Sequence, residues 1–160
     1  MNVEQSTSSG ERQSVSPGVP RPARVVVGVD GSEPSSKALA FAAEEARLRD
    51  AVLEVVHAWS LPSLSYVGYL PPEALEDTSA EAASQLEAQV TKVLGEHHTV
   101  ALELVVSRGP AAQAILEAAE GAELIVVGSR GRGGFAGLLL GSVGSQVVHH
   151  AHCPVTVVRS

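Results

Sequence analysis

The sequence predicts an α/β domain in which a five-stranded parallel sheet, ordered 3-2-1-4-5, carries helices on both faces. Three observations predict it. Short runs of Val, Ile and Leu recur five times, apolar at consecutive positions, as in strands buried on both sides. Segments with apolar residues at helical spacing separate those runs. Two of the run ends carry unusual loops, GVDGS after the first and GSRGRGG after the fourth. Ligands bind such sheets outside the carboxyl ends of the strands, where the strand order reverses. Right-handed crossovers restrict the orders available, and 3-2-1-4-5 places both loops on one crevice.

Each element follows in turn. Residues 1–22, rich in Ser, Pro, Gly and Gln, read as a disordered tail, with a regulatory or phosphorylated tail as the functional alternative. The folded domain occupies 23–160. RVVVGVD (24–30) reads as a buried strand. A helix follows, with Ser32 placed to cap it, Pro34 in its first turn and Leu39, Ala42, Ala43 and Ala46 on one face. AVLEVVHAW (51–59) is the second strand. Residues 60–77 hold three prolines and a glycine and read as an irregular loop. The next helix spans 79–98, with Ala83, Leu86, Val90, Val93, Leu94 and His97 on one side. TVALELVVS (99–107) is strand three, and Pro110 opens a helix turning Ala111, Ala114, Ile115 and Ala118 inward. AELIVVGS (122–129) is strand four. A helix over 142–150 is expected to bury Val143, Val147 and Val148 before strand five, CPVTVVR (153–159).

The composition narrows the function. At 160 residues the chain fits one domain with a core. Its net charge of −7 argues against nucleic acid as a partner. Cys153 is the single cysteine, so no intrachain disulfide framework forms, and a reducing compartment suits the chain. No apolar run reaches the length of a membrane span, and the N-terminus lacks a signal-peptide core. The expectation is a cytoplasmic protein without membrane or nucleic-acid partners.

The glycine loop is suited to phosphate. Glycine lets backbone N–H groups approach an anion, and a helix N-terminus adds unpaired N–H groups and positive potential. The loop leaves a strand and ends at a helix start, Gly141-Ser142. From Leu124 onward there is no Asp or Glu, while Arg130, Arg132 and Arg159 are present. A P-loop is excluded, because it requires Gly-Lys-Ser/Thr and the two lysines, Lys37 and Lys92, lie elsewhere. GRGGFA (131–136) matches the dinucleotide pattern of glycines, but no acid follows to hold a ribose.

Other residues read as structural. HHAHC (149–153) contains zinc-type ligands, yet it falls where a helix ends and a strand begins, so the side chains diverge. Histidine also suits a helix C-terminus. Cys153 reads as a small buried residue, His57 as a strand-end residue rather than a catalyst, and Arg132 as solvated. Asp30 reads either as a ligand contact or as a cap for the first helix.

The spacing Gly128-x-x-Gly131, nine residues, then Gly141-Ser142 resembles the nucleotide-binding signature of the universal stress protein family. VVVGVDGS (25–32), VVHAW (55–59), GP (109–110) and CPVTVV (153–158) resemble that family as well, so the likeness covers about 23–159. It implies the ATP-binding branch, with a Rossmann-like 3-2-1-4-5 sheet and ATP at the reversal. Carried over by position, Asp30 would hold the adenine or ribose end, Ala58 would line the adenine pocket and Val127 would border the ribose. Gly128, Arg130 and Gly131 would lie along the phosphates. Gly141, Ser142 and Val143 would supply N–H groups and a hydroxyl, and Ser142 is the one candidate contact for an accompanying Mg²⁺. The family commonly has Ser or Thr where this chain has Gly144.

The resemblance implies a nucleotide-binding stress-response protein and a homodimer through the strand-five edge, and the lack of an acid after Glu123 to position water leaves at most slow ATP hydrolysis. Two alternatives stand beside it. One is a nucleotide-free interaction module of the same family, a branch that tends to lose the glycine signature. The other is an enzyme of the related adenine-nucleotide fold that cleaves ATP between the α and β phosphates, whose Ser-Gly-Gly-x-Asp-Ser loop is replaced here by GVDGSEPS. Backbone donors do not count phosphates, so diphosphate and cyclic adenine nucleotides stay open as ligands.

Overall fold

Val25, Val26 and Val27 expose no surface at all. Three consecutive buried residues in one strand require cover on both faces of the sheet. The computed structural model describes residues 21–60, 72–132 and 139–159. Along the chain it gives β1 (Arg24–Val29), α1 (Glu33–Leu48), β2 (Val52–Trp59), α2 (Pro72–Leu94), β3 (Leu102–Arg108), α3 (Ala111–Ala118), β4 (Leu124–Gly128), α4 (Ser142–His150) and β5 (Val155–Val158). The strands form one parallel sheet in the order β3-β2-β1-β4-β5, which is the order predicted from the sequence.

Alternate residues of the central strands feed two separate cores. On one face, Val25, Val27, Leu53 and Val55 pack with Leu39 and Ala42 of α1 and Leu86 and Val90 of α2. On the other, Val26, Val56, Ile125 and Val127 pack with Ala112 and Ile115 of α3 and Val147 of α4. β1 and β4 run side by side, with Val25 opposite Leu124 and Val27 opposite Val126. The chain leaves β1 toward α1 on one face and leaves β4 toward α4 on the other. The two connections diverge and open a crevice at the strand ends.

Several boundaries differ from expectation. The region read as loop to residue 77 is helical from Pro72, since proline at a first helical position loses no intrahelical bond. That helix stops at Leu94 rather than at 98. Gly95 takes φ +77 and returns its N–H to the Thr91 carbonyl at 2.9 Å, a glycine stop. His97 therefore lies beyond the helix and is exposed, and Ala82, not Ala83, is the buried alanine near its middle. In α4 only Val147 of the three expected valines is buried. The inward face is centred between Gly144 and Val147, which leaves Val143 and Val148 on its exposed flanks. Strand ends shift by one to three residues from the expected bounds. The expected disordered tail, apart from the exposed Arg21 and Pro22, and the loop over 61–71 lie outside the described residues.

At the amino end of the sheet, Arg24 reaches across to buried Glu54, Nη1 to Oε2 at 2.6 Å. The same guanidinium donates to the Ala118 carbonyl at 3.0 Å and the Glu120 carbonyl at 2.5 Å. It thereby ties β1 and β2 to the C-terminal turn of α3, whose last carbonyls have no helical partner.

Candidate functional site

The turn from β1 into α1 is built on one carboxylate. Asp30 Oδ1 accepts the Ser32 N–H at 3.0 Å and the Ser32 hydroxyl. Its Oδ2 accepts the backbone N–H of Arg132 at 3.0 Å, from the far side of the crevice. Burial raises the Asp30 pKa, but the bonds from Ser32, Arg132 and Ser35 outweigh it and hold the group below its ordinary 3.8. Asp30 is not the helix cap. Ser32 is, with its Oγ accepting the Ser35 N–H at 3.3 Å. Gly31 between them takes φ +81, which glycine adopts without strain.

The second loop leaves β4 at Gly128. Ser129 returns its N–H to Val158 of β5 at 2.8 Å, continuing the sheet past the last paired residue of β4. The Ser129 carbonyl then accepts the Gly141 N–H at 2.7 Å, so both ends of the loop close on each other. This corrects one assignment: the Gly141 N–H is spent inside the protein. Gly141 is the N-cap of α4 and has no side chain to cap with, and the first intrahelical bond runs from Ser145 N–H to its carbonyl. The amides of Ser142, Val143 and Gly144 therefore form the first turn, which has no intrahelical acceptors. No acid sits in that turn, so its positive potential is not offset.

The crevice between the loops has a volume of about 210 Å³. All nine residues singled out from the sequence line it: Asp30, Ala58, Val127, Gly128, Arg130, Gly131, Gly141, Ser142 and Val143. Its apolar end is walled by Val56 and Ala58 of β2 and by Ala111 and Ile115 of α3. A methyl group on Gly28 would lie 2.3 Å from Ile115 Cδ1, so that wall depends on a bare backbone at Gly28. His57 is turned aside, its Nδ1 donating to the Val29 carbonyl at 3.0 Å, and it does not line the crevice. Positive charge comes from exposed Arg130 and Arg132. Asp30 is the one carboxylate among the described lining residues.

Sequence reasoning missed several contributors. Arg132 is more than a solvated side chain: its N–H holds Asp30, and its guanidinium lies where a Gly31 methyl would fall, 2.6 Å away. Ala111 and Ile115 come from α3, where the sequence marks them only as core-facing. Gln89 of α2, buried behind the crevice, bonds to the β1–α1 turn. Leu140 packs over Gly144, its Cδ1 2.7 Å from the position of a Gly144 Cβ. Elsewhere, His149 and His150 stand exposed in the last turn of α4 with ring centroids 5.0 Å apart. No group of three metal-ligating side chains occurs among the described residues. Cys153 is half-buried rather than buried, and burial pushes its thiol pKa up. No helix among the described residues is long and apolar enough to cross a membrane.

Three comparisons place this arrangement among known proteins. The sequence model described as the Universal stress protein family matches residues 23–159. The universal stress protein Rv2623 of Mycobacterium tuberculosis is 41% identical over 140 residues, covering 88% of this chain and 46% of that protein. The chain thus spans about half the length of the curated relatives it matches first. Among solved structures, the universal stress protein UspA from Lactobacillus plantarum superposes with a TM-score of 0.68 at 25% identity, covering 88% of this chain and 100% of that one. A universal stress protein in complex with cAMP superposes with a TM-score of 0.55 at 29% identity, covering 86% and 97%. The 3-2-1-4-5 sheet, the glycine spacing across the reversal and the match over 23–159 agree, and the chain belongs to the universal stress protein family.

Proposed function

We propose that this chain is an ATP-binding stress-response protein that holds the nucleotide in the crevice between β1 and β4. One observation carries the reading. The uncapped first turn of α4, beside Arg130, faces the same cavity as the apolar slot of Val56, Ala58 and Ile115. An anion suits the first end and a flat aromatic base suits the second. In this reading the phosphates meet the amides of Ser142, Val143 and Gly144, Gly128 and Gly131 give the backbone close approach, and Val127 borders the ribose. A Mg²⁺ ion would travel with the phosphates, because Ser142 alone is a poor ligand set for an ion that prefers several oxygens and water.

The protein acts as a binder in the cytoplasm and not as a dedicated enzyme. Asp30 already accepts three hydrogen bonds, and no acid follows Glu123 in the chain. Among the described residues lining the crevice, no carboxylate other than Asp30 is available to position water for in-line attack. The protein works as a homodimer through the exposed edge of β5, whose four residues are all half-exposed.

A second reading, a cyclic or single-phosphate adenine ligand, is favoured by Leu140. It packs over Gly144, where the family commonly carries a hydroxyl, and it leaves fewer donors for a third phosphate. One relative has been solved in complex with cAMP. Calorimetry with ATP, ADP, AMP and cAMP tests both readings. Tightest binding of ATP supports the first, tightest binding of cAMP or AMP the second, and binding of none overturns both.

A further inference from the structure

Gln89 is the side chain that the crevice does not explain. None of the described residues of α2 lines the cavity, yet this glutamine of α2 is buried and its bonds run to the β1–α1 turn and the first turn of α1. Its Oε1 accepts the Gly31 N–H at 3.0 Å. Its Nε2 donates to Ser35 Oγ at 3.0 Å and to Ser36 Oγ at 3.1 Å. Ser35 Oγ in turn accepts the Asp30 N–H at 3.3 Å and donates to the Ser32 carbonyl at 2.9 Å. The two amides just beyond the end of β1 thus have no strand partner and are held by one buried hub.

An apolar residue would be the simpler choice at this place. Leu86 and Val90 beside it belong to the core, and a buried amide costs free energy unless every polar atom is paired. A side chain that meets this cost and spends its bonds on one turn fixes that turn's shape. Here the turn aims Asp30, and Asp30 holds the glycine loop through Arg132 N–H.

The geometry points to Gln89 as a positioning residue for the nucleotide crevice, acting from behind through Gly31 and Ser35. This rests on the adenine-nucleotide reading above. Its action falls first on the β1 side, where Asp30 and the nucleoside are placed, while the amides at the start of α4 that face the phosphates are held separately by the bond from Gly141 N–H to the Ser129 carbonyl.

The test uses the full chain with two variants, Gln89→Met, which keeps length and removes every bond, and Leu86→Ala as a destabilised control on the same helix face. Calorimetry is run with ATP and with adenosine. Gln89→Met is expected to weaken both by the same factor, roughly tenfold for the loss of a buried hydrogen-bonded group. Leu86→Ala is expected to lower the melting temperature and leave both affinities at the wild-type value. Wild-type affinities in Gln89→Met, or equal losses in the two variants, would overturn the assignment. Amide exchange in the ligand-free proteins provides an arm that needs no nucleotide. Gln89→Met should speed exchange at Gly31 and Asp30 at least tenfold relative to Val27, and unchanged exchange there overturns the positioning role. If the wild type binds neither ligand, the nucleotide reading fails, and the exchange arm alone decides whether Gln89 sets the turn.

Discussion

Asp30 Oδ2 accepts the backbone N–H of Arg132 at 3.0 Å, across 102 residues of chain, and so joins the two loops that face each other over the crevice. With Oδ1 held by Ser32, the carboxylate has most of its acceptor capacity engaged within the protein. A nucleotide meeting Asp30 therefore meets a fixed strut. Asp30→Asn replaces one acceptor oxygen with an NH₂ group, which must then face either the Ser32 or the Arg132 donor. The variant should lose about 1–3 kcal/mol of stability and should weaken ATP and AMP alike, because the glycine loop is released. Paired melting and calorimetry check this, and loss of stability with intact affinity would confine Asp30 to a purely local role.

The same strut makes a signed pH prediction. The folded-state pKa of Asp30 lies below its ordinary value of 3.8 because hydrogen bonds outweigh burial. Its contribution to stability is then fully present above that ordinary value and is lost as pH falls through the folded value. The stability gap between wild type and Asp30→Asn should be constant from neutral pH down to about pH 5 and should close in more acid solution. Denaturant melts at several pH values measure it, and a gap that widens on acidification would reverse the sign.

The glycines of the signature are not equivalent. A methyl on Gly141 meets nothing nearer than 3.6 Å, and its φ is −71, so Gly141→Ala should fold and bind near wild type. Gly141→Glu should fold and lose nucleotide, because a carboxylate then competes for the first turn of α4. A methyl on Gly131 would lie 2.7 Å from Asp30 Oδ2. Gly131→Ala should therefore act by pushing the strut aside rather than by blocking phosphate, and should show its effect in stability as well as affinity. Calorimetry on the three variants separates these roles.

These distinctions explain what could be read from the sequence. The parallel sheet was legible because Val25 to Val27 and Leu124 to Val127 are continuous apolar runs, and its order because the two unusual loops follow strands one and four. The glycine loop was legible because its spacing and the absence of acids after Glu123 are chemical patterns, whereas Asp30, Ala58 and Val127 rest on the family resemblance. Gln89 was not, since one of two glutamines in a helix with many polar residues carries no sign of burial. The contribution of Arg132 was hidden because its bond to Asp30 uses the main chain, which every residue but proline possesses. Ala111 and Ile115 reach the crevice only through the packing of α3. The end of α2 was misplaced although Gly95 marked it, because the apolar spacing appeared to continue to His97.

Arg24 offers a test remote from the site. Its guanidinium pairs with buried Glu54 and also serves the carbonyl of Ala118 at the end of α3 and that of Glu120 just beyond it. Arg24→Met keeps the aliphatic stem and strands a buried carboxylate, which should cost about 3–5 kcal/mol. Arg24→Met with Glu54→Met should recover much of that loss, since a well-packed apolar pair can replace a buried ion pair. Nucleotide affinity should stay unchanged in whichever variants fold. Chemical denaturation of the single and double variants checks the coupling, and additive losses would argue that the pair is not a unit.

The β5 edge gives the sharpest test of assembly. Ile125 N–H bonds to the Pro154 carbonyl and Ser129 N–H to the Val158 carbonyl. In a strand the N–H and C=O of one residue point to the same side, and successive residues alternate. Positions 154, 156 and 158 therefore face β4, while Val155 and Val157 direct their backbone groups to the open edge. An open apolar edge is a liability unless it is paired or covered, and exposed Val148 and Leu139 lie on the neighbouring α4 and on the residues leading into it. Val157→Pro removes an outward N–H and spares the β4 ladder, because proline is tolerated on the outer side of an edge strand. The variant should fold as a monomer, while wild type runs as a dimer in light scattering at micromolar concentration. Since the crevice opens between β1 and β4 rather than at this edge, nucleotide affinity should survive dissociation within a few-fold. A wild-type monomer, or a Val157→Pro dimer, would remove β5 from the interface.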